Sequence, residues 1–387
     1  MSLGLRVFKN SAMKLRVVVL GAGFGGLELS SILSETIGDD LDLILIDQHD
    51  CFYFGFSKLD VMFGHKTADA VRIPYGSIKK PGVRFCQAAV TAIDPVKKTV
   101  TTSNGVYEAD VLVIALGANY DIDATPGLAE YGNEYYTFKG AEKLRAVIPG
   151  FSKGHAIVGV CGAPFKCPPA PSEAALMLHD HLSGAGVRDG CTISLVMPFG
   201  SPIPPSPDSS KALIRAFEER NIRFIPQRKV SALREGRAIL DDGTEMPFDL
   251  FLGIPKHVAP DVVLQCGLAE NGWIPVERGN LSTKFPNVYA IGDVTSVGTP
   301  KAGVFAEGAA KTAAAAIIAA YKGNEQNVPY AGAGSCYIEF GKGQVARVDV
   351  DFFSGPKPFG IHYDASEALA ADKQYFGSSR KARWFGL

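Results

Sequence analysis

The apolar positions of this chain fall mainly into short unbroken runs rather than alternating ones. Leu15-Arg16-Val17-Val18-Val19-Leu20 is one such run, and Leu41-Asp42-Leu43-Ile44-Leu45-Ile46 is another. Strands apolar on both faces are buried on both faces, as in a parallel sheet covered by helices. Similar runs recur at Asp110–Ile114, His155–Val160, Thr192–Met197 and Asn287–Ile291. Helical segments are expected from Phe24 to about Glu35, from about Ser172 to Leu182, and from about Gly303 to Tyr321. Strand and helix alternate, which predicts an α/β fold. The longest apolar helix segment, Thr312 to Tyr321, is too short to span a bilayer, which needs about 18 residues or more.

Composition narrows the function classes. Lys and Arg number 39 against 40 Asp and Glu, a net charge of −1, so no basic field draws nucleic acid. Seven cysteines, at 51, 86, 161, 167, 191, 266 and 336, are too few and too scattered for a disulfide scaffold. None forms a C-x-x-C, and no His/Cys spacing suggests a metal. Met1 to Lys14 shows no apolar core of a signal sequence, so a cytoplasmic location is expected.

The first run leads into Gly21-Ala22-Gly23-Phe24-Gly25-Gly26, and the second ends at Asp47. Strand, G-x-G-x-x-G, helix, strand, acid is the arrangement that binds a dinucleotide. Gly21 allows the tight turn, Gly23 lets the backbone approach a pyrophosphate, and Gly26 lets the helix pack on the strand. Asp47 is placed for the ribose hydroxyls. The alternative is a glycine-rich turn without a ligand. Two later strands, ending at Gly117-Ala118 and at Gly292-Asp293, extend the pattern. Together they resemble the flavoproteins built on two dinucleotide folds, whose first fold holds FAD. That resemblance implies FAD contacts from Val90, Ala115, Gly117, Gly292 and Asp293, although Asp293 is also a plausible helix cap.

A second nucleotide-type strand, His155–Val160, runs into Cys161-Gly162-Ala163-Pro164-Phe165-Lys166-Cys167-Pro168-Pro169-Ala170-Pro171-Ser172-Glu173. Prolines offer no N–H to a phosphate, and Pro198-Phe199-Gly200 after the next strand offers no acid or arginine for a ribose. An NADH site is therefore not expected there. Cys167, upstream of a helix N-terminus and beside Lys166, is expected to favour the thiolate, the alternative being a small buried residue.

This cysteine loop resembles that of sulfide:quinone oxidoreductases and of the flavoprotein subunit of flavocytochrome c sulfide dehydrogenases. Agreement continues through Phe248–Pro260, Pro300-Lys301-Ala302-Gly303 and Arg383-Trp384-Phe385-Gly386, nearly the whole chain. The resemblance implies two Rossmann-like folds and a C-terminal α+β segment. The expected organisation is an FAD-binding domain at 13–120 and 270–323, a second Rossmann-like domain at 121–269, and a C-terminal domain at 324–387. It further implies a redox pair of Cys167 and Cys336, with sulfide attacking a bridge between them and electrons passing to FAD. Glu173 matches a family glutamate, as a base or as a helix-dipole partner. Lys301, with the helix beginning near Gly303, is expected to stabilise reduced flavin, the alternative being a solvated surface charge.

Three departures refine this. Residues 118 to 130 hold no third cysteine. Phe54 stands where the flavocytochromes attach FAD covalently, with Cys51 three residues early, so non-covalent FAD is expected. The C-terminal helical pair is shortened. The tail from Tyr375 to Phe385 either lies in a lipid headgroup layer or plugs a slot on the body. The acceptor implied is a quinone, or else a cytochrome, and a homo-oligomer is possible. A flavoenzyme for another sulfur compound, an NADH:quinone oxidoreductase and a non-catalytic redox module are the competing readings. Cys51, Cys86, Cys191 and Cys266 read as core, Cys161 as a spare thiol near the site, and His155 and His257 as structural.

Overall fold

The computed structural model describes residues 14–324 and 328–387. Of the Met1–Lys14 stretch, all but Lys14 lies outside the described residues. The Leu15–Leu20 run forms the middle strand of a five-stranded parallel sheet. Leu41–Asp47 and Val83–Gln87 lie on one side of it, Val111–Ile114 and Val288–Ala290 on the other. Val17 to Leu20 are at most 1% exposed. Each such side chain contributes about 1.5–3 kcal/mol by leaving water, which is why the run is apolar throughout.

A second parallel sheet has the order Asn133–Glu134, Leu250–Ile254, Gly154–Val160, Cys191–Val196, Ile222–Ile225. Two crossing segments, Asn119–Asp121 and Lys256–Val258, pair antiparallel and tie together the exits of the two sheets. The chain thus leaves the first sheet after Ile114 and rejoins it at Val288. Three antiparallel strands follow, Ala333–Gly341, Gln344–Asp351 and Phe359–Ser366, and then one helix, Glu367–Phe385.

The Gly303–Lys322 helix is long and apolar enough to cross a membrane by length and composition, with mean hydropathy 1.3. Its alanines explain a different role. Ala309, Ala310, Ala313 and Ala314 are at most 2% exposed and bring it close against the Phe24–Ile37 helix in the core of the first sheet. Short side chains let helix backbones approach, and the apolarity follows from burial.

The C-terminal tail plugs the body. Trp384 and Phe385 are 1% and 2% exposed, packed with Phe24, Phe52, Phe54 and Tyr75. The Trp384 indole N–H and the Arg383 Nε both donate to Glu28 Oε2, at 2.7 and 2.8 Å. These two aromatics are therefore not available to a lipid layer.

Candidate active site

Between the two sheets runs a cleft of about 770 Å³. Gly21, Gly23, Asp47, Val90, Ala115, Gly117, Gly292 and Asp293 all line it. Gly26 does not. A Cβ there would lie 1.9 Å from the Gly21 carbonyl, so its role is the close turn-to-helix contact. Gly23 behaves oppositely: a Cβ would meet no protein atom within 4 Å and would project into the cleft. The helix whose N-cap is Gly23 has no side-chain cap, so its first N–H groups are free for an anionic ligand. Asp47 holds the adjoining loop, accepting Ala22 N–H at 2.9 Å on Oδ2 and His49 N–H at 2.9 Å on Oδ1. The same Oδ1 lies 2.9 Å from His49 Nδ1, and this hydrogen bond raises the His49 pKa. These features fit a dinucleotide.

Asp293 is not a helix cap, because the following helix begins at Gly303 with Ala302 as its N-cap. It is half-buried at the cleft wall, and desolvation raises its pKa against the pull of Lys166 and Lys301.

Lys301 departs from expectation. It is 8% exposed and does not line the cleft. Its Nζ donates to the Asp293 carbonyl at 2.6 Å and the Thr295 carbonyl at 3.3 Å, and sits over the Trp273 ring. Burial lowers its pKa to about 8. Its backbone carbonyl, meanwhile, accepts the Cys167 N–H at 2.8 Å and so anchors the cysteine loop.

The proline loop turns at Cys167, which has φ +52°, and enters the Ala170–Gly184 helix. Cys167 and Cys336, the latter on Ala333–Gly341, line one apolar cavity of about 170 Å³ with Phe56, Tyr337, Phe376, Glu173 and Lys373. Cys167 also lines the cofactor cleft, so the two spaces adjoin at this residue, as they do at Lys58, Tyr136 and Lys166. All seven cysteines are free thiols. The expectation of a favoured Cys167 thiolate is overturned. Burial, Glu173 and Cys336 push its pKa well above the usual thiol value, and burial takes Cys336 to about 12. Lys166 does not offset this, because its ammonium turns to Ala118 and Tyr120 instead.

Glu173 is 3% exposed, not a surface partner of the helix dipole. Its Oε1 accepts the Glu339 N–H at 3.1 Å and lies 4.0 Å from Lys373 Nζ, which also pairs with Glu339 at 2.6 Å. Burial lifts its carboxyl to about 7. A carboxyl poised there, beside an ammonium, can hold or pass a proton at neutral pH.

Nothing local in the chain points to Lys58, Tyr120 and Tyr136 on the cleft wall or to Lys373 in the thiol cavity. Cys51 faces the cleft as well as being buried, whereas Phe54 belongs to the aromatic cluster and not to the cleft. Cys161 is buried with its thiol on the Gly159 carbonyl and lines neither space. His257 is packed between the Tyr120 and Tyr136 rings, its Nδ1 on the Pro255 carbonyl, and burial lowers its pKa to about 3. His155 bonds Ser194. Where a nicotinamide nucleotide would need phosphate donors, Pro164, Pro168, Pro169, Phe165, Phe199 and Phe352 instead line an apolar cavity of about 470 Å³ that reaches Cys336.

Comparison with known proteins bears on this arrangement. The mitochondrial sulfide:quinone oxidoreductase of Mus musculus is 26% identical over 88% of this chain and 79% of its own length. A type II NADH:quinone oxidoreductase of Staphylococcus aureus is 38% identical over 73% of this chain and 74% of its own. The fold is shared with the sulfide:quinone oxidoreductase structure from Aquifex aeolicus, at TM-score 0.87 and 23% identity, covering 96% of this chain and 92% of that one. The family described as pyridine nucleotide-disulphide oxidoreductase matches residues 15–320. A glycine-cradled cleft between two parallel sheets, a pair of thiols at its end and this match place the chain in the pyridine nucleotide-disulphide oxidoreductase family, as an FAD-dependent oxidoreductase.

Proposed function

We propose that the chain oxidises sulfide through Cys167 and Cys336 and passes the electrons by way of FAD to a quinone. The observation that carries this is the meeting of two thiols from distant parts of the chain in one cavity that opens on the cofactor cleft at Cys167. Gly21, Gly23, Asp47, Val90, Ala115, Gly117, Gly292 and Asp293 are assigned to holding FAD, with Gly26 shaping the turn. Lys301 acts indirectly, through Asp293 and the cysteine loop. Bound FAD supplies a two-electron acceptor beside the thiols.

The chain's own chemistry is thiol–disulfide exchange. In the oxidised form Cys167 and Cys336 share a bridge, and hydrosulfide attacks one sulfur. An S–S bond forms to the incoming sulfur as the bridge bond breaks, leaving a persulfide and a thiolate. A second sulfur nucleophile removes the outer sulfur. Two thiols remain, and their rejoining into the bridge gives up two protons and an electron pair that bound FAD would accept. Glu173 and Lys373 hold the protons that the pair requires when it leaves on a quinone, whose head group is assigned to the apolar cavity that Phe56, Tyr337 and Phe376 line with them. Because quinones reside in membranes, this reading sets the protein at a membrane surface.

The competing reading, NADH oxidation, has the Staphylococcus aureus relative in its favour. The prolines and phenylalanines that replace a phosphate cradle speak against it. An anaerobic titration of the FAD-loaded protein separates the two. Sulfide is expected to bleach the flavin and NADH to leave it unchanged. Cys167→Ser and Cys336→Ser should each abolish the sulfide response, and a soluble quinone analogue should restore colour in the wild type. Bleaching by NADH, or sulfide bleaching that survives both substitutions, would overturn the proposal.

A further inference from the structure

Two ammonium groups at the site have no carboxylate partner among the described residues. Lys58 and Lys166 both line the cofactor cleft and the thiol cavity. Lys166 Nζ donates to the Ala118 carbonyl at 2.8 Å and to the Tyr120 hydroxyl at 3.2 Å. Lys58 Nζ donates to the Tyr136 carbonyl, which also accepts the Tyr120 hydroxyl at 3.1 Å. The two cations are therefore joined through one phenol and one carbonyl. An ammonium has three N–H donors, so one remains on Lys166 and two on Lys58. Behind them stand His257, whose burial lowers its pKa to about 3, and Asp293, whose carboxyl feels both Lys166 and Lys301 and whose pKa burial raises. Both side chains are half-buried, where unmet charge is costly. A surface lysine would simply face water; these two face a cavity that ends at two thiols.

We infer that Lys58 and Lys166 form a seat for a small monovalent anion where the cleft meets the thiol cavity, and that the sulfur substrate enters there as its anion. This rests on the sulfide-oxidising reading for the identity of the substrate, but not for the existence of the seat. Burial and Glu173 disfavour negative charge beside Cys167 and Cys336. The lysine pair offsets that penalty where the nucleophile must wait.

Thiocyanate, a small anion unable to replace sulfide as a reductant here, is the probe. Titrated into FAD-loaded protein, it should give a saturable change in flavin absorbance and compete with sulfide in the bleaching assay. Loss of one charge-assisted hydrogen bond predicts affinity weaker by about tenfold or more in Lys166→Met and in Lys58→Met. Lys166→Arg should retain most of it. FAD content and melting temperature check that each variant is folded, and either lysine alone suffices for the test. No saturable change in the wild type, or wild-type affinity in either Met variant, overturns the seat. Unchanged thiocyanate affinity with weakened FAD retention would assign the lysines to the cofactor and overturn it too. If thiocyanate binds in a lysine-dependent way while sulfide fails to bleach the flavin, the seat stands and the sulfide reading falls.

Discussion

Glu173 meets the Glu339 N–H and, at 4.0 Å, the Lys373 ammonium, yet burial dominates and its proton is held to about pH 7. In the unfolded chain a glutamate loses that proton near its usual value of about 4.3. Between those limits the folded state binds the extra proton, so stability falls as pH rises through the interval and levels off above about 7. Glu173→Gln removes the difference. The variant is expected to show a flatter dependence of melting temperature from pH 4.5 to 7.5, with a change of up to about 3 kcal/mol in the slope's total. Parallel pH profiles for the two proteins would show that another group carries the proton. Glu173 was visible in the sequence as a residue, but its environment was not. The strand that bears Glu339 and the helix that bears Lys373 close over it only in the folded molecule. Cys167 teaches the same lesson, since its neighbours in sequence suggest a thiolate while its neighbours in space raise the pKa.

The long helices were legible because their apolar faces and boundaries follow local rules. The Ala170–Gly184 helix begins two residues earlier than expected, since prolines at the first turn cost nothing where no N–H is needed. The C-terminal helix was harder. Its mixture of aromatic and basic residues suits a membrane surface or a plug equally, and only the buried carboxylate of Glu28 decides. Glu28 is 2% exposed and accepts both Arg383 and Trp384, so it would be left badly served without them. Trp384→Ala is expected to destabilise the protein by about 3–5 kcal/mol in chemical denaturation. Trp384→Phe keeps the packing and loses one hydrogen bond, with an expected cost of about 1–3 kcal/mol. Equal, negligible effects of both changes would mean that the helix end is not docked in solution.

At the scale of the whole molecule, the cleft exists because two parallel sheets present their strand ends to one another, tied by the pairing of Asn119–Asp121 with Lys256–Val258. A ligand that fills such a cleft contacts both sheets and stabilises the folded state by mass action, about 2.7 kcal/mol at a hundredfold excess over the dissociation constant. Gly23 gives a clean test. Its φ of −80° suits any residue, and no protein atom stands where a side chain would go. Gly23→Val should leave the melting temperature of the FAD-free protein unchanged and abolish the rise that FAD produces. A variant that still gains stability from FAD would place the cofactor elsewhere.

Local sequence determined the buried strands, the glycine turn, the acid after the second strand and the loss of phosphate donors in the proline loop. Each of these depends on residues close together in the chain, through steric freedom, missing N–H groups or continuous apolarity. The tertiary structure alone decided that Lys301 turns away from the cleft while Lys58 and Lys166 face it. It also decided that Cys336 joins Cys167, that Glu173 is deeply buried, and that the last aromatics plug the body. Those outcomes depend on burial and on partners brought together from distant segments, where desolvation outweighs whatever the neighbouring residues in sequence would favour.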